Sequence, residues 1–233
     1  DFDVNDVRLP QLSVRVWHGM VFAAVDGANA PAFDDFVAGI DARLGPNRGL
    51  ERYGHHLRVG YDVACNWKVY VDNYLEGYHV PHIHPGLNKL LDYRSYITET
   101  AQWYSYQWSP LESGDGLYGD GDALYYWMWP NTMLNILPGR LQTNRVIRRG
   151  VDRCRVEFDF YYTLDETGEG RARRDADRAF SDEVQLEDLT ICEDVQRGLA
   201  SGSYAPGRLN PLRENAVHHF HELLRSVYRA DAG

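Results

Sequence analysis

Apolar positions recur in this chain with two periods, and the period tells strand from helix. From Val14 to Val25 the run Val-Arg-Val-Trp-His-Gly-Met-Val-Phe-Ala-Ala-Val is rich in β-formers and closes on the turn pair Asp26-Gly27, which predicts one or two strands. Between Pro31 and Leu44 the spacing of Phe33, Phe36, Val37, Ile40 and Leu44 is helical, begun by proline and stopped by Gly45-Pro46. Leu57 to Val63 predicts a further strand, preceded by His55 and His56, which read as polar loop residues. A helix then follows from Asn66. Trp67, Val71, Tyr74 and Tyr78 form its apolar face, while Asn73, Glu76 and His79, three apart, share a polar stripe. Pro81 biases Val80 away from helical angles, so this helix is expected to end just after His79 and let His84 swing back toward it.

Beyond a short helical piece at Leu87 to Leu91 the helical period disappears. Arg94 to Trp108, Ala123 to Trp129, Met133 to Leu137 and Leu141 to Arg149 predict strands, with Pro130-Asn131 and Pro138-Gly139 as turns and Glu112 to Asp122 as a glycine-rich, mobile loop. In Arg153 to Phe160 the alternation is clean: Cys154, Val156, Phe158 and Phe160 point one way, charged residues the other, as in an antiparallel sheet with one buried face. Asp165 to Gly170 reads as a polar turn. Helical spacing returns at Ser181 to Gly202, where Val184, Ile191, Cys192, Val195 and Leu199 fall in one arc, and again at Arg213 to Arg229, where Val217, Phe220, Leu224 and Val227 do.

Asp188 sits in the middle of the first of those arcs, whereas Glu183, Glu187, Glu193 and Asp194 fall outside it with the solvated residues. An ionised carboxylate on a buried face is costly unless something positive faces it, and no Lys or Arg shares the arc. A metal ion is the natural partner. Two imidazoles and one carboxylate are the donor set suited to non-heme Fe(II) with open positions, which makes His79, His84 and Asp188 the candidate ligands. His82 competes for a place, although Pro81 stands between it and His79. Zinc hydrolysis on the same three residues is a weaker option.

Composition narrows the classes. The chain has 233 residues, 44% of them hydrophobic, enough for a substantial core. Its formal charge of -10 and the lack of any Lys/Arg run argue against nucleic acid and against an anionic membrane surface. No apolar run reaches the roughly 20 residues of a membrane span, and the start lacks a secretory signal pattern, so a soluble, cytoplasmic protein is expected. The three cysteines, Cys65, Cys154 and Cys192, are widely spaced and read as reduced and structural. Trp103, Tyr104, Tyr106, Trp108, Tyr125, Tyr126, Trp127 and Trp129 suffice for a cage around a trimethylammonium group, or equally for the core of a sheet.

The segment from Asn66 to His79, Asn-Trp-Lys-Val-Tyr-Val-Asp-Asn-Tyr-Leu-Glu-Gly-Tyr-His, with His84-Pro85-Gly86-Leu87 and, near the end, Glu187-Asp188 before Ile191-Cys192-Glu193-Asp194-Val195-Gln196-Arg197-Gly198-Leu199, closely resembles the catalytic domain of Rieske-type oxygenase α subunits. The likeness covers nearly the whole chain. It is greater to the choline, glycine betaine and carnitine monooxygenases than to the ring-hydroxylating dioxygenases of aromatic hydrocarbon catabolism.

The resemblance implies an α+β helix-grip (START/SRPBCC-like) fold, a curved antiparallel β-sheet wrapped around a long C-terminal helix. It also implies a mononuclear Fe(II) on His79, His84 and Asp188. Glu76 matches the carboxylate that links this iron to the Rieske cluster of a neighbouring subunit, and Asn73 matches a residue near the iron. Expected partners are a small organic substrate, O2, a reductase or ferredoxin and a Rieske domain, in a homotrimer. The Cys-x-His…Cys-x-x-His pattern of a [2Fe-2S] Rieske cluster is missing from this sequence. Residues 1–30 are therefore read as the last strands of a Rieske domain and 31–233 as the iron domain, the cluster being expected on a missing N-terminal domain or a partner. A different class remains open: a metal-free helix-grip carrier with an apolar ligand in its sheet cavity.

Overall fold

The computed structural model describes residues 3, 7, 11–25, 27, 29–47, 49–111 and 116–231. Asp26 of the first predicted turn, Glu112 to Asp115 of the glycine-rich loop and most of the first ten residues lie outside them. The chain divides into two compact units, Asp1–Glu51 and Arg52–Gly233.

In the first unit, β1 (Ser13–Trp17) and β2 (Met20–Ala24) pair antiparallel in a hairpin. His18 and Gly19 turn it, both at positive φ (47° and 78°). The His18 imidazole is held between Asp41 Oδ1 (2.8 Å) and Glu51 Oε2 (3.1 Å). The helix predicted over Pro31 to Leu44 is two short ones, α1 (Phe33–Phe36) and α2 (Ile40–Arg43). Gly39, at φ 85°, separates them, since a left-handed residue cannot sit inside a right-handed helix.

The second unit is built on a seven-stranded sheet. Its strands are β3 (Gly54–Val63), β4 (Ile97–Thr100), β5 (Tyr104–Pro110), β6 (Asp122–Met128), β7 (Thr132–Leu137), β8 (Arg140–Arg148) and β9 (Cys154–Tyr162). They lie in the order β3-β9-β8-β7-β6-β5-β4, and every neighbouring pair is antiparallel. From β5 to β9 each strand pairs with the next in sequence, and from β6 onward short turns suffice. His55 and His56 open β3 instead of sitting in a loop, beside a register shift before Leu57. The alternation read from β9 is present: Cys154, Val156, Phe158 and Phe160 are all buried. On the opposite face Asp159, buried as well, receives a two-pronged hydrogen bond from Arg58 at 2.9 and 2.8 Å.

The helices of this unit are α3 (Trp67–Leu75), α4 (Val80–Ile83), α5 (Pro85–Leu90), α6 (Gly168–Ala200) and α7 (Asn215–Asp231). Residue 168, where α6 starts, falls inside the predicted polar turn, because the Thr167 hydroxyl caps it by accepting from Gly170 N at 3.0 Å. That adds 13 residues ahead of Ser181 and makes α6, at 33 residues, the long helix lying along the sheet. Its buried positions match the predicted arc only in part. Of that arc Cys192 is buried, but Val195 and Leu199 are exposed, and Asp177, Ser181 and Gln185 are buried in their place. Polar side chains can occupy that face because the sheet answers them: Arg140 Nε meets Asp177 at 2.9 Å, and Ser181 Oγ donates to Gln142 at 3.3 Å. In α7, Val217 and Phe220 enter the core as expected, whereas Val227 is exposed. Phe220 packs edge-on against Trp67 and Trp127.

Candidate metal centre

The polar stripe expected on one helix is assembled differently. Asn66 caps α3 by accepting from Lys68 N at 3.0 Å, and the helix runs only to Leu75. Glu76 is extended (φ -127°, ψ 141°), Tyr78 and His79 turn, and His79 caps α4. Gly77 is the residue that fits there, since a Cβ at this position would lie 2.6 Å from the Tyr96 ring. Pro81 stands inside the first turn of α4, where its missing N–H costs nothing, so it starts a helix where the sequence predicted an end. Tyr78, assigned to the apolar face, is exposed.

The turn nonetheless brings the predicted residues together. His79 Nε2 lies 3.1 Å from His84 Nε2, His84 Nε2 lies 3.0 Å from Asp188 Oδ1, and His79 Nε2 lies 3.7 Å from the same oxygen. His84 is fully buried, His79 and Asp188 partly so. His82 is exposed and takes no part. Asn73, from α3, donates its Nδ2 hydrogen to Asp188 Oδ1 at 2.7 Å.

Each imidazole is anchored through its other nitrogen. His79 Nδ1 is 2.5 Å from Glu76 Oε1, and the second Glu76 oxygen accepts from His79 N at 3.2 Å. His84 Nδ1 is 2.6 Å from Glu187 Oε2. The helical wheel puts Glu187 with the solvated carboxylates, yet it reaches His84, because it is the neighbour of Asp188 on the same turn of α6. Burial opposes a charge on His84, but the hydrogen bonds and charges of Asp188 and Glu187 outweigh it and raise its pKa.

A carboxylate can only accept, so each Nδ1 must carry the hydrogen, and a neutral ring then presents a bare lone pair at Nε2. Two such nitrogens and a carboxylate oxygen converge on one point, and among the described residues only the Asn73 amide donates to them. Mutually repelling acceptors in a partly buried place are stabilised by a cation. Donors on adjacent corners around an ion, with bonds of about 2.1 Å, stand about 3 Å apart, and two of the three separations match. The residues fit a metal ion.

A cavity of about 100 Å3 opens directly onto this cluster and is lined by His79, His84, Asp188, Tyr96, Gln107 and Tyr125 among others. A second, of about 90 Å3, adjoins it, sharing Tyr70, Tyr74, Tyr125, Asn135 and Asp188 among others. Of the eight aromatic residues considered for a cage, Tyr125 alone lines either of these two cavities. Tyr104, Tyr106, Tyr126 and Trp127 are buried, filling the sheet.

A family model described as "Ring hydroxylating alpha subunit (catalytic domain)" matches residues 50–230. The chloroplastic choline monooxygenase of Arabidopsis thaliana is 36% identical over 245 residues, covering 96% of this chain and 56% of that protein. The carnitine monooxygenase oxygenase subunit of Escherichia coli (strain K12) is 29% identical, covering 98% of this chain and 64% of the relative. This chain thus spans little more than half the length of the curated relatives it matches. A solved quaternary ammonium Rieske monooxygenase superposes with a TM-score of 0.79 at 27% identity, covering 91% of this chain and 61% of that one. Dicamba monooxygenase shares the fold, with a TM-score of 0.64 at 16% identity.

Proposed function

This chain belongs to the family of ring-hydroxylating oxygenase α-subunit catalytic domains, and from that premise we propose that it is the oxygen-activating part of a Rieske-type monooxygenase acting on a quaternary ammonium compound. The converging acceptor atoms of His79, His84 and Asp188 carry the reading, because they provide two neutral imidazoles and one carboxylate for a single ferrous ion. Bound there, iron would supply the binding and reductive activation of O2 that an organic side chain cannot.

The chain's own residues do the rest. Glu76 and Glu187 hold both rings in the tautomer that directs Nε2 inward, and Asn73 holds Asp188 Oδ1 by hydrogen bond. The two cavities beside the cluster are lined by Tyr70, Tyr74, Tyr96 and Tyr125, aromatic side chains of the kind that attract a trimethylammonium group, which would bring its C–H bonds beside the cluster. The named activities of the choline and carnitine relatives favour this substrate class and a monooxygenation over the attack on an aromatic ring.

Electrons are assigned to a Rieske centre and reductase outside this chain, reached through Glu76, within a homotrimer. Residues 1–30 are assigned to the end of the preceding domain. Among the described residues no helix is long and apolar enough to cross a membrane. A cytoplasmic location is part of the same proposal.

Anaerobically purified protein should hold iron by elemental analysis, and His79→Ala or Asp188→Ala should empty it. Retention of full iron by those variants, or a wild type that takes up none, would sink the assignment and leave the metal-free carrier. Glu76→Gln is expected to keep its iron yet lose turnover with an added Rieske donor and reductase.

A further inference from the structure

The second cavity is closed at one side by side-chain amides. Asn144 and Gln185 are buried and Asn135 partly so; Asn135 lies on β7, Asn144 on β8 and Gln185 on α6. In each the amide oxygen is already engaged. Tyr74 donates to Asn135 Oδ1 at 2.7 Å, Gln142 to Asn144 Oδ1 at 2.8 Å and Tyr70 to Gln185 Oε1 at 2.7 Å.

For Asn144 the orientation is dictated by charge. Arg140 can only donate, and its Nη2 donates to Gln142 Oε1, so the Gln142 nitrogen must face onward to Asn144 Oδ1. Asn144 Nδ2 is left as the end of that relay. Gln185 Nε2 is buried with no partner among the described residues, a position that costs stability unless a ligand fills it. Three amides therefore line one cavity, and among the described residues none of their nitrogens donates a hydrogen bond. Behind them Arg140 is paired with Asp177, whose carboxylate also accepts from Tyr118 and, at 2.5 Å, from Tyr162.

A wall of amide donors, each amide oxygen already holding one hydrogen bond, suits a group that accepts several hydrogen bonds at once. An alcohol is a poorer fit, because its single uncharged oxygen accepts fewer of these donors and in weaker bonds. A carboxylate, acceptor-only and charged, takes such donors in short, charge-assisted bonds. Gln185 stands three residues before Asp188 on α6, about 4.5 Å along the helix axis, so a small molecule can reach both the wall and the metal cluster.

We propose that Asn135, Asn144 and Gln185 form a carboxylate subsite, and that the substrate is an organic acid held there with its other end at the metal. The inference rests on the oxygenase reading for the second half of that statement only.

Binding is measured by titration calorimetry on anaerobic, iron-loaded protein with acid and alcohol pairs, glycine betaine against choline and benzoate against benzyl alcohol, and with tetramethylammonium as the probe without oxygen. In at least one pair the acid should bind ten-fold or more tighter than its alcohol. Gln185→Leu and Asn144→Leu should each cut that preference to less than threefold, leaving tetramethylammonium affinity and iron content unchanged. Gln185→Glu should abolish acid binding by repulsion. Equal or tighter binding of both alcohols, or acid preference intact in the Leu variants, overturns the subsite. An acid preference in protein that takes up no iron upholds the subsite and overturns the oxygenase reading, so the two fail separately.

Discussion

His79 and His84 each rest a carboxylate on Nδ1, one from the residue three positions back and one from a helix a hundred residues away. The difference matters for what each contributes. Glu76 also accepts from the His79 backbone and so ties the ring to its own turn, whereas Glu187 ties His84 to α6 and to Asp188. Glu187→Ala should leave the fold intact by circular dichroism and weaken iron binding about 10- to 100-fold in competition with a chelator. Phe220, fully buried against the Trp67, Trp127 and Trp129 rings, reports on packing alone. Phe220→Ala should cost about 3–5 kcal/mol in denaturant unfolding.

Pairing of β3 with β9 shows how an element is locked. The strands make the edge of the sheet, and across them Asp159 takes both Arg58 and, at 2.9 Å, His55. Burial would raise the Asp159 pKa, but the hydrogen bonds and positive charges of these partners outweigh it and lower it below the ordinary carboxylate value. A lowered carboxylate binds fewer protons folded than unfolded. Its stabilisation is thus complete above about pH 4 and is lost as pH falls through the folded-state value. Asp159→Asn should flatten the loss of stability with acid below about pH 4, measured as denaturation midpoint against pH. An unchanged acid limb would show that the pair contributes nothing. Legibility at this scale was uneven. Strands β5 to β9 were readable because alternation and turn residues are local properties, and the start of α6 was not, because Glu166 to Arg174 carries no apolar stripe and its order comes from a cap and from Asp177 meeting the sheet.

The candidate ligands come from parts of the second unit that the chain separates widely, the α4 region with His79 and His84 on one side and α6 with Asp188 on the other. A ligand that binds only the assembled site stabilises the fold by mass action. Fe(II) at about a hundred times its dissociation constant should add about 2.7 kcal/mol, raising the anaerobic melting temperature by roughly 5–10 °C. The Asp188→Ala variant should show no such rise in the same calorimetric scan.

Sequence alone determined the strand-rich middle, the helical end, the identity of the three candidate ligands and the family they belong to, since each of these is a matter of local period or of a contiguous motif. Tertiary structure decided which carboxylate supports which imidazole, that Pro81 begins a helix, and that the long helix buries amides and acids in place of an apolar arc. The physical reason is that a hydrogen bond is satisfied by any donor and acceptor brought within reach, whatever their separation along the chain. Hydrophobic period records which side of an element is covered, and it carries no information about what polar group waits on the covering surface.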